Sequence, residues 1–370
     1  MKNKLKPKIL IVVPTLRMGA GVASHVMNYY DKISDKFDID FITFAKIENK
    51  YTDSILDKNG NIFYFDGNIF KKYMDIKRFF RENSEKYDII HCHVLNRGVL
   101  YLYFAKKYGI KNRITHIHNA KYSDNIIKSL FNAMATKICL RLANIYVACS
   151  DQSGKKVYHK KPFRVINNGI DLIKFSNGDR TGVRVKFDID DPTVLFGNVG
   201  RLAKQKNQIF AIEVFAELKK TNKFRNSKMM IIGKGPDQMR LIEYVKKADL
   251  KDDVYFVENT DNIADYYAAM DCFILPSLYE GMPVSLVEAQ ASGLVCFCTD
   301  SLTKEAFSTD LVHGLSLKAG PKSWCDHIVD VNLSRKERLS ELGKAGFDME
   351  IEKDKLIEFY KNFCQGERIC

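Results

Sequence analysis

Two glutamates eight residues apart, Glu280 and Glu288, bracket a stretch that reads as strand, loop, helix and strand. The first strand is Cys272-Phe273-Ile274-Leu275. A loop runs from Pro276 to Met282, a helix carries Pro283 at its first position and stops at Gly293, and Val295-Cys296-Phe297-Cys298 is the next strand. In an open α/β sheet such a loop lies at the carboxyl end of a strand, where ligands bind. Carboxylates are good partners for the hydroxyls of a sugar and of a ribose alike. The amides of Val284, Ser285 and Leu286, without partners inside the helix and at the positive end of its dipole, suit a diphosphate between the two.

A second constellation lies upstream. Val194-Leu195-Phe196-Gly197-Asn198-Val199-Gly200 is a strand ending in glycine, and Arg201 and Lys206 follow it. A guanidinium can fork onto two phosphate oxygens and an ammonium adds a point charge, so the pair suits a diphosphate leaving group. Met229-Met230-Ile231-Ile232 runs into the glycine turn Gly233-Lys234-Gly235, placed to lie near a nucleotide. At the other end of the chain a strand from Lys8 to Thr15 reaches Gly19-Ala20-Gly21 and a helix, a turn that lets backbone amides approach a ligand. Four of the eight histidines end two successive strands, His91 with His93 and His116 with His118, and alternation puts each pair on one face. No cysteine or carboxylate at ligand spacing accompanies them, so a zinc site is not expected. Asp38-Ile39-Asp40 has the D-x-D form of a metal motif but falls where a strand begins and reads as that strand.

The elements that position these residues alternate strand and helix along the whole chain, which predicts parallel sheets. At 370 residues, 46% of them hydrophobic, the chain calls for two domains. Nine scattered cysteines, odd in number, read as reduced, buried thiols of a cytoplasmic protein. The apolar run after the first lysines is five residues long and reads as a buried strand rather than a signal peptide, and no stretch reaches the roughly 20 apolar residues of a membrane span. Charge is uneven. Residues 1–170 hold 30 Lys and Arg against 14 Asp and Glu, a balance of +16, while the remainder stands at −3. This predicts an anionic partner for the first domain, a membrane surface or a phosphate-bearing acceptor; no nucleic-acid signature accompanies the charge. The helix after Asn68 mixes Lys71, Lys72, Lys77 and Arg78 with Phe70, Tyr73, Phe79 and Phe80. It reads equally as a helix packed on the sheet and as one lying on a membrane.

Three ordered strings, the glycine loop, G-R-L-x3-K-N from Gly200 to Asn207, and E-x7-E from Glu280 to Glu288, resemble those of the family 4 retaining glycosyltransferases. Met27-Asn28-Tyr29-Tyr30, Arg113 to Asn119 and Glu288-Ala289-Gln290-Ala291 are similar to the subgroup that builds exopolysaccharide and capsule. The resemblance implies the GT-B fold: α/β, two doubly wound Rossmann-like domains facing a central cleft. It places an acceptor-binding domain at 1–170, a linker at 171–192, a nucleotide-sugar domain at 193–348 and, at 349–370, a helix packing back on the first domain. It implies transfer of a hexose from a nucleotide diphosphate sugar, UDP-hexose favoured, to a lipid-linked or growing glycan at the inner face of the plasma membrane. No metal or other cofactor is expected.

The same resemblance gives His118 and Glu280 to the sugar as catalytic residues, Gly21, Arg201, Lys206, Val284 and Ser285 to the diphosphate, and Glu288 to the ribose. Gly200, Gly233, Gly235 and Val257 fall near the nucleotide, with Glu258 to Asp261 bordering the base. The chain departs from the pattern at Ala20, where relatives carry the partner glycine of Gly21, and at Ala23, where they often carry glutamate. Two alternatives stay open: a nucleotide-sugar epimerase on the same fold, and a non-catalytic nucleotide-sugar-binding partner of a transferase.

Overall fold

The computed structural model describes residues 6–118, 126–258, 260 and 262–364. Asn119, Asn259 and Asp261 of the strings above lie outside the described residues. The chain forms two compact units, one of residues 1–169 with 349–370 and one of residues 170–348.

The first unit is a seven-stranded sheet. Its strands are β1 (Lys8–Val13), β2 (Asp38–Thr43), β3 (Ile62–Tyr64), β4 (Ile89–Cys92), β5 (Asn112–Ile117), β6 (Ile145–Ala148) and β7 (Arg164–Val165). Their order is β3-β2-β1-β4-β5-β6-β7, and every pairing is parallel. The strands are near-continuous apolar runs because both faces are covered. Ile9, Ile11 and Val13 pack with the helices Gly21–Ile33 and Met349–Cys364, while Leu10 and Val12 face the opposite core. The Met349–Cys364 helix is held by Tyr360 against Phe37, with ring centroids 5.4 Å apart, and by an ion pair of Lys32 with Glu350 at 2.5 Å. Asp40, read as part of a strand, is buried in β2 and accepts from the Asn61 amide and the Tyr87 hydroxyl.

The Ile69–Asn83 helix packs on the sheet by its second half and not by its first turn. Its second half buries Ile76, Phe79 and Phe80, whereas its first turn leaves Ile69 89% and Phe70 75% exposed.

The second unit is a six-stranded sheet of β8 (Leu195–Val199), β9 (Lys228–Ile232), β10 (Val254–Val257), β11 (Cys272–Leu275), β12 (Val295–Thr299) and β13 (Val312–Leu315). Its order is β10-β9-β8-β11-β12-β13, again parallel throughout. One core cluster joins β8, β9, β11 and β12 to Phe215, Phe224 and the fully buried Trp324.

Residues 171–192, expected as a linker, instead fold into this unit. Asp171 caps a helix at Leu172–Ser176 and Asp179 caps another at Arg180–Lys186. Leu172, Phe175, Val183 and Ile189 are buried, and a charged side chain adds an anchor that no apolar periodicity announces. The buried Arg184 guanidinium donates to the carbonyls of Ala269, Asp190 and Thr193 and pairs with Asp271 at 3.3 Å.

Among the described residues eight cysteines are free thiols, seven of them buried. No helix among those residues is long and apolar enough to cross a membrane.

Candidate functional site

Each sheet reverses its strand order once, between β1 and β4 in the first unit and between β8 and β11 in the second. Loops leaving the carboxyl ends of two strands that diverge at such a switch point splay apart and leave a crevice.

In the second unit the loops that leave β8 and β11 carry Arg201, Lys206 and Glu280. They are stitched together. The Leu278 amide donates to the Gln205 carbonyl at 2.8 Å, and the Gln205 side chain donates to the Tyr279 carbonyl at 2.9 Å. Lys206 Nζ lies 2.7 Å from Glu280 Oε1, with the two side chains only 17% and 8% exposed. A short ion pair so little hydrated leaves either partner uncompensated if the other is removed. Arg201 is exposed, with its carbonyl held by the Gln208 side chain at 3.0 Å.

A third loop, after β9, presses on the first. The Gly200 amide donates to Ile232 and the Leu202 amide to Lys234, at 2.9 and 3.1 Å. Gly233 sits at φ +143°, and a Cβ there would overlap the Gly200 carbonyl; one on Gly235 would overlap that of Leu202. Only glycine allows this approach. Val257 closes β10 and accepts the Gly233 amide at 2.9 Å.

Pro283, expected as the first helical residue, is the N-cap, and the helix is Val284–Ala291, with Gly293 at φ +75° after its end. The Leu286 amide, expected to be available, is taken by the Pro283 carbonyl at 2.9 Å. The amides of Val284 and Ser285 meet no acceptor among the described residues, and Ser285 Oγ, closed off from solvent, has no partner there either. One turn on, Glu288 Oε2 accepts from the Tyr267 hydroxyl at 2.8 Å. Burial raises the Glu288 carboxyl above its ordinary range, against the pull of the Tyr267 hydrogen bond and of Lys174 and Lys206.

In the first unit the crevice is lined with imidazoles. His91 lies in β4 and His93 one residue past it; His116 lies in β5 and His118 one residue past it. The β4–β5 register sets His91 opposite Ile114 and Cys92 opposite Thr115, so His93 follows opposite His116. All four rings share one face and stack, at 4.2 Å for His91 on His93 and 4.3 Å for His116 on His118. His25, from the Gly21–Ile33 helix that covers this face, meets His116 edge-on at 5.2 Å and His118 at 4.8 Å. His93 Nδ1 lies 2.8 Å from His118 Nε2, and Tyr360 Oη lies 2.6 Å from His91 Nδ1. Burial lowers every one of these imidazoles below the ordinary value, His91 to about 3.

Gly21 opens the Gly21–Ile33 helix, and a Cβ there would meet nothing within 4 Å. The left-handed residue of this turn is Gly19, at φ +75°, while Ala20 is extended.

The structure thus brings Arg201, Lys206, Glu280, Val284, Ser285 and Glu288 together at one sheet's switch point, with Gly200, Gly233, Gly235 and Val257 packed behind them. His118 and Gly21 belong to the other unit. Sequence reading missed Gln205, Tyr267 and His25. Gln205 lies inside a string already singled out, whereas Tyr267 and His25 stand on helices with no local sign of what they face.

Residues 20–174 match the family described as "Glycosyltransferase Family 4", and residues 179–349 match "Glycosyl transferases group 1". The chain belongs to these glycosyltransferases. It is similar to the putative glycosyltransferase EpsF of Bacillus subtilis, at 27% identity over 97% of each chain. It is also similar to the capsular polysaccharide biosynthesis glycosyltransferase CapH of Staphylococcus aureus, at 25% identity over 78% of this chain and 82% of CapH. A 30% identical stretch covers 59% of this chain and 59% of the Escherichia coli UDP-Gal:alpha-D-GlcNAc-diphosphoundecaprenol alpha-1,3-galactosyltransferase. Among solved structures, HepE of Anabaena in complex with UDP and glucose superposes with a TM-score of 0.77 at 16% identity, over 96% of this chain and 99% of HepE. At that identity the likeness concerns the fold, which is GT-B.

Proposed function

We propose that this glycosyltransferase moves a hexose, with retention, from a UDP-hexose to a hydroxyl of a lipid-linked growing glycan in exopolysaccharide or capsule biosynthesis. The observation that carries the reading is the Lys206–Glu280 pair beside the open amides of Val284 and Ser285. Charge that develops on a departing diphosphate is best met by preorganised donors, and Arg201, Lys206 and these amides are such donors. They take the part that a metal ion plays elsewhere, so transfer needs no cofactor. Glu280 orients the sugar, Glu288 takes a ribose hydroxyl, and His118 supplies a neutral imidazole to the sugar. Gly21 offers its amide to the diphosphate. The bond from the anomeric carbon to the diphosphate breaks as the bond to the acceptor oxygen forms on the same face, and the acceptor's proton passes to the departing phosphate.

The donor assignment is supported by the UDP and glucose bound to HepE, and the acceptor by the diphosphoundecaprenol substrate named for the E. coli relative. The excess positive charge of residues 1–170 and the bare Ile69 and Phe70 beside Lys71 and Lys72 suit an anionic membrane surface on the cytoplasmic side.

The test is release of free nucleoside diphosphate from the purified chain with UDP-, GDP- and ADP-hexoses, with and without a lipid-linked acceptor extract. Acceptor-dependent turnover of a UDP-hexose, lost in Glu280→Ala, is expected. Tight donor binding without turnover in a competent extract would overturn it in favour of a non-catalytic nucleotide-sugar-binding protein.

A further inference from the structure

The histidine cluster is larger than its share of the transfer reaction. A sugar contact needs His118 alone, yet His25, His93 and His116 converge on it, and one nitrogen of each, together with one of His118, lies within 4.8 Å of the others. His25 Nδ1 and His116 Nε2 are buried with no hydrogen-bond partner among the described residues. Buried polar nitrogens are rarely left unpaired, and two in one cluster call for a missing group that accepts lone pairs. The other side of His116 is already braced. Its Nδ1 lies 3.2 Å from His91 Nε2, and His91 Nδ1 lies 2.6 Å from Tyr360 Oη. That is the outer-shell support that metal-bound imidazoles carry.

We propose that His25, His93, His116 and His118 bind one divalent transition-metal ion of the zinc class, and that filling this site withdraws His118 from the sugar and turns transfer off. The second half rests on the role given to His118 above. An all-imidazole set favours zinc, copper or nickel over magnesium and calcium, which take oxygen ligands. Tetrahedral bonds of about 2.1 Å put ligand atoms roughly 3.4 Å apart. The cluster's nitrogens bracket that distance: the His93–His118 contact of 2.8 Å must open and the widest pairs, up to 4.8 Å, must close. A zinc site was not expected from spacing because no cysteine or carboxylate stood near the two histidine pairs. The fourth ligand is instead a histidine 66 residues before His91 in the chain, brought in by the covering helix.

The test uses the full chain stripped of metal and titrated with zinc against a competing chromophoric chelator, with X-ray absorption on the loaded protein. One zinc per chain in a four-coordinate, nitrogen-only shell is expected. His25→Gln and His116→Gln should each weaken binding at least about tenfold to a hundredfold, and Tyr360→Phe about tenfold. Circular dichroism serves to check that each variant folds. No binding, a sulfur-containing shell, or affinity unchanged in folded His25→Gln and His116→Gln would overturn the site. Nucleoside diphosphate release supplies the second arm. Zinc should lower it tenfold or more, a chelator should restore it, and His25→Gln should keep turning over at zinc concentrations that silence the parent. Zinc bound by these ligands with transfer undiminished would overturn the switch. No transfer by the zinc-free chain with any donor and a competent acceptor would sink the transferase reading, and with it the switch, while the binding data still decide the site.

Discussion

The two sheets have the same kind of switch point and opposite contents. Between β8 and β11 the loops gather charge: Lys206 on Glu280, Arg201 in the open, Glu288 accepting from Tyr267. Beside the switch point of the first sheet, the face of β4 and β5 under the Gly21–Ile33 helix gathers five imidazoles that burial keeps neutral. Parallel topology decides where a ligand can sit, since strand order leaves a crevice at the same place in both units. Side chains decide which ligand sits there. A charged, amide-lined crevice suits a dianionic diphosphate, whereas neutral nitrogens suit hydroxyls or a metal ion.

The contrast breaks most easily at its charged end. Lys206→Ala or Glu280→Ala removes half of a pair that is little hydrated, and turnover is expected to fall about 10²- to 10³-fold while the unit stays folded, read as nucleoside diphosphate release alongside circular dichroism. Turnover within a few-fold of the parent would mean that the charge at this switch point is structural.

Glycines sharpen the comparison next. Gly233→Ala forces a Cβ into the Gly200 carbonyl at a positive φ, and a loss of about 3 kcal/mol or more in denaturant unfolding is expected. Gly21→Ala meets open space at a helix start and should leave stability within roughly 1 kcal/mol, so any fall in activity there reports on ligand approach. Equal destabilisation by both would remove the distinction.

In the first unit, Asp40→Asn should cost about 1–3 kcal/mol by disturbing the Asn61, Tyr87 and Lys8 contacts, with no effect on donor affinity. Weakened donor binding would contradict its reading as a strand residue.

The smallest expected effect is on pH. Because burial places the Glu288 pKa above the ordinary 4.5, the folded chain holds that proton more tightly than the unfolded one. The protonated group therefore stabilises the fold below 4.5, and that contribution is lost as pH rises through the raised native value. Glu288→Gln should accordingly raise Tm slightly at neutral pH while weakening donor binding roughly tenfold. In the parent, donor affinity should fall with acidification at a higher pH than an ordinary glutamate would give, and in Glu288→Gln this step should vanish. Titration of donor binding by calorimetry reads both.

Much of the fold was legible in the residues. Cys272–Leu275 is the β11 strand with the boundaries read for it, and the alternation of strand and helix gave both parallel sheets, because apolar runs of four to six residues flanked by glycine have few other stable fates. The charged strings were legible for a related reason: Gly200 to Asn207 and Glu280 to Glu288 each lie within one loop and one helix, so their neighbours in sequence are neighbours in space. The segment 171–192 was not, because its buried apolar residues, Leu172, Phe175, Val183 and Ile189, are scattered among polar ones and Arg184 fastens it to the carbonyls of Ala269 and Thr193.

By itself, then, the sequence determined most of the local units: where chains extend, where the longer helices run, and which loops carry charge. Those outcomes depend on propensity and on spacings of a few residues. Only the tertiary structure decided the pairings of distant groups. It set Lys206 against Glu280 across 74 residues, the Tyr267 hydroxyl on Glu288 from a separate helix, and His25 over two strands that follow it by more than 60 residues. Strand order and the register of the covering helix fix such contacts, and both are properties of the packed core as a whole.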